Sequence, residues 1–183
     1  TVPARKLLDI WRQLPEGAPV SVALDDEKVV VKAGRFRSAL STLPATDYPR
    51  PELGAPEVAI ELGPDDLRRL LDQTGFAMAM QDVRFFLNGM LLEFGHNYVR
   101  SVATDGHRLA MATVLAEVGD GVLKQVILPR KGVFELQRLL GDADGEAVRI
   151  EIGASHLRAA LGGVAISTKL IDGRFPDYDR VIP

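Results

Sequence analysis

The chain has 183 residues, of which 46% are hydrophobic and 26% charged, proportions typical of an ordinary globular protein of one or two domains. The formal net charge of -3 gives no support to a uniformly basic nucleic-acid binder. The absence of cysteine excludes disulfides, thiolate metal sites and cysteine nucleophiles, and three scattered histidines make a histidine-rich metal site improbable.

The first helix is predicted directly after Pro3, whose missing N–H costs nothing in a first helical turn. Apolar residues then recur at helical spacing on one face: Leu7, Ile10, Trp11 and Leu14. Three strands are predicted next, at Ser21–Leu24, Val29–Lys32 and Arg35–Leu43. Residues 44–56 are rich in proline and glycine and poor in apolar residues, so a linker is expected there.

After this stretch the pattern restarts, with helices opened by Pro64 and by Pro129. Strands are predicted around them at Val58–Leu62, Gly89–Phe94, Tyr98–Thr104, Arg108–Val114, Val126–Leu128, Val148–Ile152, Leu157–Leu161 and Val164–Leu170. Three helices and about ten strands, often in hairpin order, predict an α+β fold with mostly antiparallel sheet.

The stretch from Pro3 resembles the stretch from Pro129 at a shift of 126 residues. At this shift the apolar positions of the first helix correspond to those of the third, Val22 corresponds to Val148, and the pair Ser41-Thr42 corresponds to Ser167-Thr168. Beyond that pair the shift is one residue longer, so that Leu43 corresponds to Leu170. Chance likeness between two α+β halves is the alternative. A true repeat of this length predicts that the first unit is incomplete and that the chain is a piece of something longer.

No stretch predicts a catalytic site. Acidic clusters at 25–27 and 65–66 are explained by a hairpin turn and a helix start. No phosphate-binding glycine motif and no nucleophile motif is present. Two stretches are candidates for binding, 104–110 with Asp105-Gly106-His107-Arg108, and 175–181, which is irregular and carries aromatic, proline and arginine residues. A solvated turn and an interdomain linker are their plain structural alternatives.

Basic residues cluster on two predicted helices, near Arg5 and near Lys131, whereas many acids fall in turns. A mildly acidic protein can therefore present basic helix faces, although charged helix faces are commonly just solvated.

Several long motifs, in order over essentially the whole chain, resemble the bacterial sliding clamp family, the beta subunit of DNA polymerase III. They are Met80–Leu91, Val102–Ala110, Pro129–Gly132 and Asp172–Tyr178, with Leu40–Pro44 and Asp47–Pro49 resembling the end of that family's first domain.

The resemblance implies repeated domains with outer antiparallel sheets and inner helices, three to a subunit, and two subunits closed into a ring around duplex DNA. Residues 1–53 would be the last part of the first domain, and 56–183 the middle domain with the start of the linker to a third. Basic inner helices would hold phosphates without reading bases.

The resemblance also implies two sets of site residues. DNA-contacting positions fall on Arg5, Gln81, Phe85, Phe86 and Lys131, with Phe86 where some members have tyrosine. The pocket that accepts peptide tails of polymerases and of the clamp loader falls on Leu87, Thr104, Gly106, His107, Arg108, Leu109, Pro176, Arg180 and Val181. His107 and Arg108 are expected to frame an apolar cleft with hydrogen-bond donors. The family completes this pocket from its third domain.

The expected function is that of a processivity factor that tethers the polymerase III alpha subunit, the clamp loader and other clamp-binding proteins. This function predicts that the protein forms a homodimer and is located in the cytoplasm. It also predicts that the protein has no catalytic activity, no cofactor, no metal site and no membrane segment. Two other hypotheses stay open: a small hydrolase that uses the carboxylates at 65–66 or His107, and a tandem-repeat protein–protein scaffold without a DNA role.

Overall fold

The computed structural model describes residues 1–48, 54–119, 123–141 and 145–182, with the side chain of Val181 left out. The chain divides into two compact units, Thr1–Glu52 and Leu53–Pro183. The described residues contain three α-helices and eleven strands, and every strand pair is antiparallel. The predicted α+β class is confirmed.

The first unit contains one helix and one small sheet. Helix α1 (Ala4–Gln13) is followed by strands β1 (Ser21–Asp25), β2 (Lys28–Ala33) and β3 (Phe36–Ser41), in the sheet order β1-β2-β3, and by a short 3-10 helix (Ala45–Asp47). Its core is thin and comprises Val30, Val31, Ala33 and Leu40. The predicted apolar face of α1 is incompletely buried: no residue of the helix is buried, and Trp11 is 50% exposed.

The second unit contains two four-stranded sheets and two helices. Its elements are β4 (Val58–Leu62), α2 (Pro64–Gly75), β5 (Gly89–Gly95), β6 (Tyr98–Thr104), β7 (Leu109–Leu115), β8 (Lys124–Pro129), α3 (Arg130–Leu140), β9 (Val148–Ile152), β10 (His156–Leu161) and β11 (Val164–Lys169). Short 3-10 helices lie at Phe85–Asn88 and Tyr178–Val181. The sheet orders are β11-β10-β9-β4 and β7-β6-β5-β8.

Helices α2 and α3 share one core with both sheets of the second unit. Alternate residues of β5 face this core, because successive strand side chains point to opposite faces; they are Met90, Leu92 and Phe94. A buried hydroxyl pair is satisfied there, since Thr74 Oγ1 and Ser101 Oγ both donate to the Leu70 carbonyl, at 2.7 and 2.8 Å.

A second, smaller core lies on the opposite, helix-distal face of the β7-β6-β5-β8 sheet. Leu91, Val102 and Ile127 are direct cross-strand neighbours there and pack with the chain before β5 and with the C-terminal segment. We call this group the second cluster; its members are Ala79, Leu87, Leu91, Val102, Ile127, Phe175 and Tyr178. It brings two distant parts of the chain together.

The predicted repeat is present in the topology, but its shift is partly wrong. The helices start 126 residues apart, at Ala4 and Arg130. The hairpins β2–β3 and β10–β11, however, correspond at a shift of 128. Lys28 pairs with Ser41 in the first hairpin, and the residues 128 positions later, His156 and Lys169, pair in the second. The turn glycines Gly34 and Gly162 obey the longer shift too, with φ of 57° and 54°. For the helices the predicted shift of 126 is right, and for the strands it is off by two. An error of two residues keeps every side chain on the same sheet face and so leaves the apolar pattern unchanged.

Gly89 marks a close approach between β5 and β8. A Cβ added there would lie 2.6 Å from the Leu128 carbonyl oxygen and 2.8 Å from Ile127 Cγ2. The backbone oxygen belongs to the neighbouring strand, so it cannot withdraw without disturbing the ladder. We expect Gly89→Ala to lower the free energy of unfolding by about 1–3 kcal/mol, measured by urea denaturation.

The control is Gly163→Ala, because a Cβ there meets nothing within 4 Å. This variant should stay within about 0.5 kcal/mol of the parent. Equal stability of the two variants would show that the β5–β8 contact is not tight.

Candidate functional site

An open cleft of about 410 Å³ lies where three segments of the second unit meet. The segments are the 3-10 helix before β5, the turn between β6 and β7, and the C-terminal stretch at 176–178. The cleft is lined by Arg84, Leu87, Thr104, Gly106, His107, Arg108, Leu109, Pro176, Asp177 and Tyr178. Seven of the nine residues expected at a peptide pocket are therefore brought together: Leu87, Thr104, Gly106, His107, Arg108, Leu109 and Pro176.

The other two expected pocket residues are placed differently. Arg180 is not among the lining residues; its Nε forms an ion pair of 2.7 Å with Asp177 Oδ2. The side chain of Val181 lies outside the described residues.

The turn at 104–109 is held by its own side chains. Asp105 Oδ1 accepts the backbone N–H of His107 at 3.0 Å and of Arg108 at 3.1 Å. Thr104 Oγ1 accepts the N–H of Gly106 and donates to the Arg108 carbonyl, while Gly106 adopts a φ of 90°. The hydrogen bond from the His107 N–H, followed by that from Arg108, lowers the pKa of Asp105. The carboxylate therefore stays charged and keeps the turn in shape.

Arg108 is engaged within the protein rather than aimed freely into the cleft. Its Nε donates to Asp105 Oδ2 at 3.1 Å and its Nη2 to the Phe76 carbonyl at 2.9 Å, and its guanidinium lies 5.6 Å from the centre of the Phe76 ring. Arg108 and His107 both line the cleft, but two of the guanidinium nitrogens of Arg108 already donate to partners within the protein.

Arg84, Asp177 and Tyr178 also line the cleft, although none of them is among the nine residues expected there. Arg84 pairs with Asp82 at 2.8 Å and also donates to the Asp105 carbonyl at 3.4 Å, so it connects the loop before β5 with the turn. The sequence offers one indication of this role, because Arg84 lies only three residues before Leu87, which was expected in the pocket. The two C-terminal residues sit beside Pro176 in the stretch already singled out.

The Asp82–Arg84 pair gives a pH prediction. Hydrogen bonds from the Arg84 side chain, and then from its backbone N–H, lower the pKa of Asp82 from 3.8 to about 2. A lowered carboxyl pKa means that the pair's contribution to stability is present above pH 3.8 and lost as the pH falls through 2. The carboxyl carbon of Asp82 should titrate near pH 2 by NMR, and in Arg84→Ala its midpoint should move up toward the ordinary value of 3.8. Identical midpoints would contradict the pairing.

The residues expected to contact DNA lie on both units. Arg5 is exposed in the first turn of α1, in the first unit, and Lys131 is exposed in the first turn of α3, in the second. Gln81 is exposed with a φ of 58°; Phe85 is 55% exposed, and Phe86 is half-buried against the second cluster. Arg130 donates to the Met78 carbonyl at 3.3 Å, which holds the start of α3 beside the loop that carries Gln81.

The acidic pair at the start of α2 has a structural role, since Asp65 forms an ion pair with Arg68. Among the described residues, no group of three or more histidine, aspartate and glutamate side chains is placed to hold a metal ion. Within the same ranges, no helix is both long and apolar enough to cross a membrane.

Comparisons with known proteins identify the family. Residues 61–177 match the family described as the DNA polymerase III beta subunit, central domain, and residues 1–52 match its N-terminal domain. The "Beta sliding clamp" of Pseudomonas aeruginosa is 52% identical over 183 residues, and that of Escherichia coli 48% identical over 184. The chain is covered completely in both matches but spans about half the length of these relatives, 50% in each case.

Solved structures of bacterial sliding clamps have the same fold. The DNA polymerase III subunit beta from Pseudomonas aeruginosa matches with a TM-score of 0.93 at 51% identity, covering 100% of this chain and 50% of the other. A sliding clamp from Bartonella birtlesii, bound to griselimycin, matches with a TM-score of 0.91 at 40% identity, over 100% of this chain and 50% of that one. The chain therefore belongs to the family of the DNA polymerase III beta subunit, the bacterial sliding clamps.

Proposed function

We propose that the chain is part of a sliding clamp, a processivity factor that encircles duplex DNA and tethers the replicative polymerase through the cleft. The observation that supports this proposal most strongly is that Leu87, Leu109 and Pro176 line one cleft although they come from three separate segments. The cleft lies beside a turn held by its own hydrogen bonds. Residues 1–53 would belong to the first clamp domain and 56–183 to the middle one, in a subunit that forms a ring with a second copy.

The cleft is suited to a short peptide tail. Leu87 is 2% exposed and forms an apolar floor, while Leu109 and Pro176 supply further apolar surface at the sides. His107 and Arg84 lie on the rim, where polar groups fix the orientation of a ligand. Apolar anchors of a peptide would fill the floor and its backbone would meet the rim. The proposed occupants are tails of the polymerase III alpha subunit, of the clamp loader and of other clamp-binding proteins.

The proposed DNA contacts are electrostatic and independent of sequence. Arg5 and Lys131 are exposed at helix starts, and none of the ion pairs among the described residues involves either of them. Free cations of this kind bind phosphates without reading bases. A closed ring holds DNA by topology, so the net charge of -3 is compatible with the proposal.

We further propose that the protein performs no catalysis, takes no cofactor and works in the cytoplasm, where bacterial DNA is replicated. The hydrolase hypothesis loses support, because the His107 ring forms no hydrogen bond with a carboxylate or hydroxyl group of the described residues; only the backbone N–H of His107 is bound, by Asp105. The scaffold without a DNA role is the remaining alternative.

Primer extension on circular single-stranded DNA separates these two functions. The full-length protein, with clamp loader and polymerase, should lengthen the products of a single binding event, and a challenge with excess primed template should not shorten them. A scaffold would bind the polymerase and leave product length unchanged.

A further inference from the structure

A buried carboxylate contacts the cleft residue Tyr178 without itself lining the cleft. Glu93 of β5 is 5% exposed and lies two residues from Leu91, on the helix-distal face of the sheet. Removing a charge from water is costly unless it is paired and hydrogen-bonded. The carboxylate accepts hydrogen bonds from Tyr98 Oη at 2.8 Å, from Gln125 Nε2 at 2.6 Å and from Tyr178 Oη at 3.1 Å.

Arg100 completes this network. Its Nη1 lies 3.6 Å from Glu93 Oε1 and donates to Tyr178 Oη at 3.2 Å, while its Nε donates to Thr113 Oγ1 at 3.1 Å. Glu93 is paired directly across strands with Arg100 and Gln125, and Arg100 with Thr113. One transverse row of side chains thus connects all four strands, and Tyr178 is the member that comes from outside the sheet.

Tyr178 belongs to the wall of the cleft. Phe175 and Tyr178 are 7% and 5% exposed and anchor the C-terminal segment in the second cluster. Pro176 and Asp177 lie between these anchors and line the cleft with Tyr178. The Phe175 anchor is apolar, whereas the tyrosine hydroxyl donates to Glu93 and accepts from Arg100, which fixes the direction of the ring as well as its burial.

The charges in the network are stable at neutral pH. Burial by itself would raise the pKa of Glu93, but the hydrogen bonds from Gln125, Tyr98 and Tyr178 together hold it below its ordinary value. Burial raises the pKa of Tyr178, so its hydroxyl stays protonated and keeps donating.

We propose that Glu93 and Arg100 are positioning residues for the peptide cleft: they set one wall of it through the hydroxyl of Tyr178. The inference rests on the proposed function of the cleft as a peptide site. It assigns a role in partner binding to two residues that touch no part of the cleft surface.

A double-mutant cycle tests the inference in the full-length protein. The variants are Tyr178→Phe, which keeps the ring, Glu93→Gln, which keeps the side-chain shape, and the double variant. The probe is a fluorescein-labelled peptide with the C-terminal residues of the polymerase III alpha subunit, followed by anisotropy. Each single variant should weaken binding by about three- to tenfold, and the double variant should bind no more weakly than Tyr178→Phe. Losses that add would overturn the inference, because Glu93 would then act independently of the hydroxyl.

Hydrogen exchange gives a second readout that does not need the peptide. Backbone amides of residues 175–180 should exchange faster in both single variants, with the rest of the sheet little changed. Unchanged exchange there would overturn the inference even if binding falls. Should Glu93→Gln not fold, Arg100→Gln takes its place in the same cycle.

The matched control is Glu151→Gln. Glu151 lies in the other sheet and is bound by Arg149 at 3.0 Å and Arg158 at 2.9 Å, so the same charge is removed from an arginine-paired carboxylate that, within the described part of the chain, has no contact with the cleft wall. Its peptide affinity should equal that of the parent, and a loss as large as that of Glu93→Gln would contradict the inference. If the parent protein itself fails to bind the peptide, the proposed function of the cleft fails, and the exchange of residues 175–180 still decides whether the network holds the wall.

Discussion

Replacing Leu109 by aspartate is expected to abolish peptide binding in the full-length protein while leaving DNA retention intact. Leu109 opens β7, is half-buried beside the second cluster and lines the cleft. A carboxylate there would have to lose its water when an apolar peptide side chain arrives, without gaining a partner. We expect affinity for the labelled alpha-subunit peptide to fall by at least about thirtyfold, as for a central interface residue.

The control for this variant lies on the same strand and the same face. Leu115→Asp introduces the same charge at the far end of β7, where the leucine is 85% exposed. It should bind the peptide as the parent does. If Leu109→Asp folds, judged by its melting temperature, and still binds with parental affinity, the cleft is not the peptide site.

Reversing two basic residues, Arg5→Glu with Lys131→Glu, should shorten the lifetime of the full-length protein on circular DNA by tenfold or more at physiological salt. Each reversal removes one phosphate contact and adds a repulsive charge, and phosphate contacts dominate such binding. The dependence of the lifetime on salt should also become shallower. Lifetimes are measured by single-molecule fluorescence of the labelled protein.

The matched control is Lys32→Glu with Lys169→Glu, which makes the same change in net charge. Both lysines are exposed on strands. On β11, Lys169 points to the face opposite that of Ile166, which packs against the core. The control should retain DNA nearly as the parent does. Equal losses in the two double variants would mean that only net charge matters, and that the two helix starts hold no phosphate.

Much of the fold was predictable where one strand face is buried and the other is not. The bounds of Val58–Leu62 and Val148–Ile152 agree with the prediction, since buried and less buried residues alternate along both. The strand predicted at Val126–Leu128 extends to Lys124–Pro129, because β5 continues to pair with residues beyond the apolar stretch. The two-residue error in the repeat has the same origin: alternation defines a face but not a register.

The cleft was less accessible to sequence reasoning. The residue types drew attention to the turn at 104–110 and to 175–181 separately, and only the family resemblance placed them in one pocket. What brings them together is the burial of Phe175 and Tyr178 on the helix-distal sheet face, which depends on tertiary packing. Glu93 gave no signal, because a lone acid in a strand looks solvent-facing until its cross-strand partners Arg100 and Gln125 are known.

The central claim is that the protein holds DNA by encircling it, and release from DNA ends tests this most directly. Labelled full-length protein is loaded by the clamp loader onto nicked circular duplex, freed of unbound protein by gel filtration, and divided, one half being treated with an enzyme that cuts the circle once. The account predicts that the protein stays on the circle and is lost from the linear molecule by sliding off its ends. Equal retention on the circular and the linear DNA would contradict it.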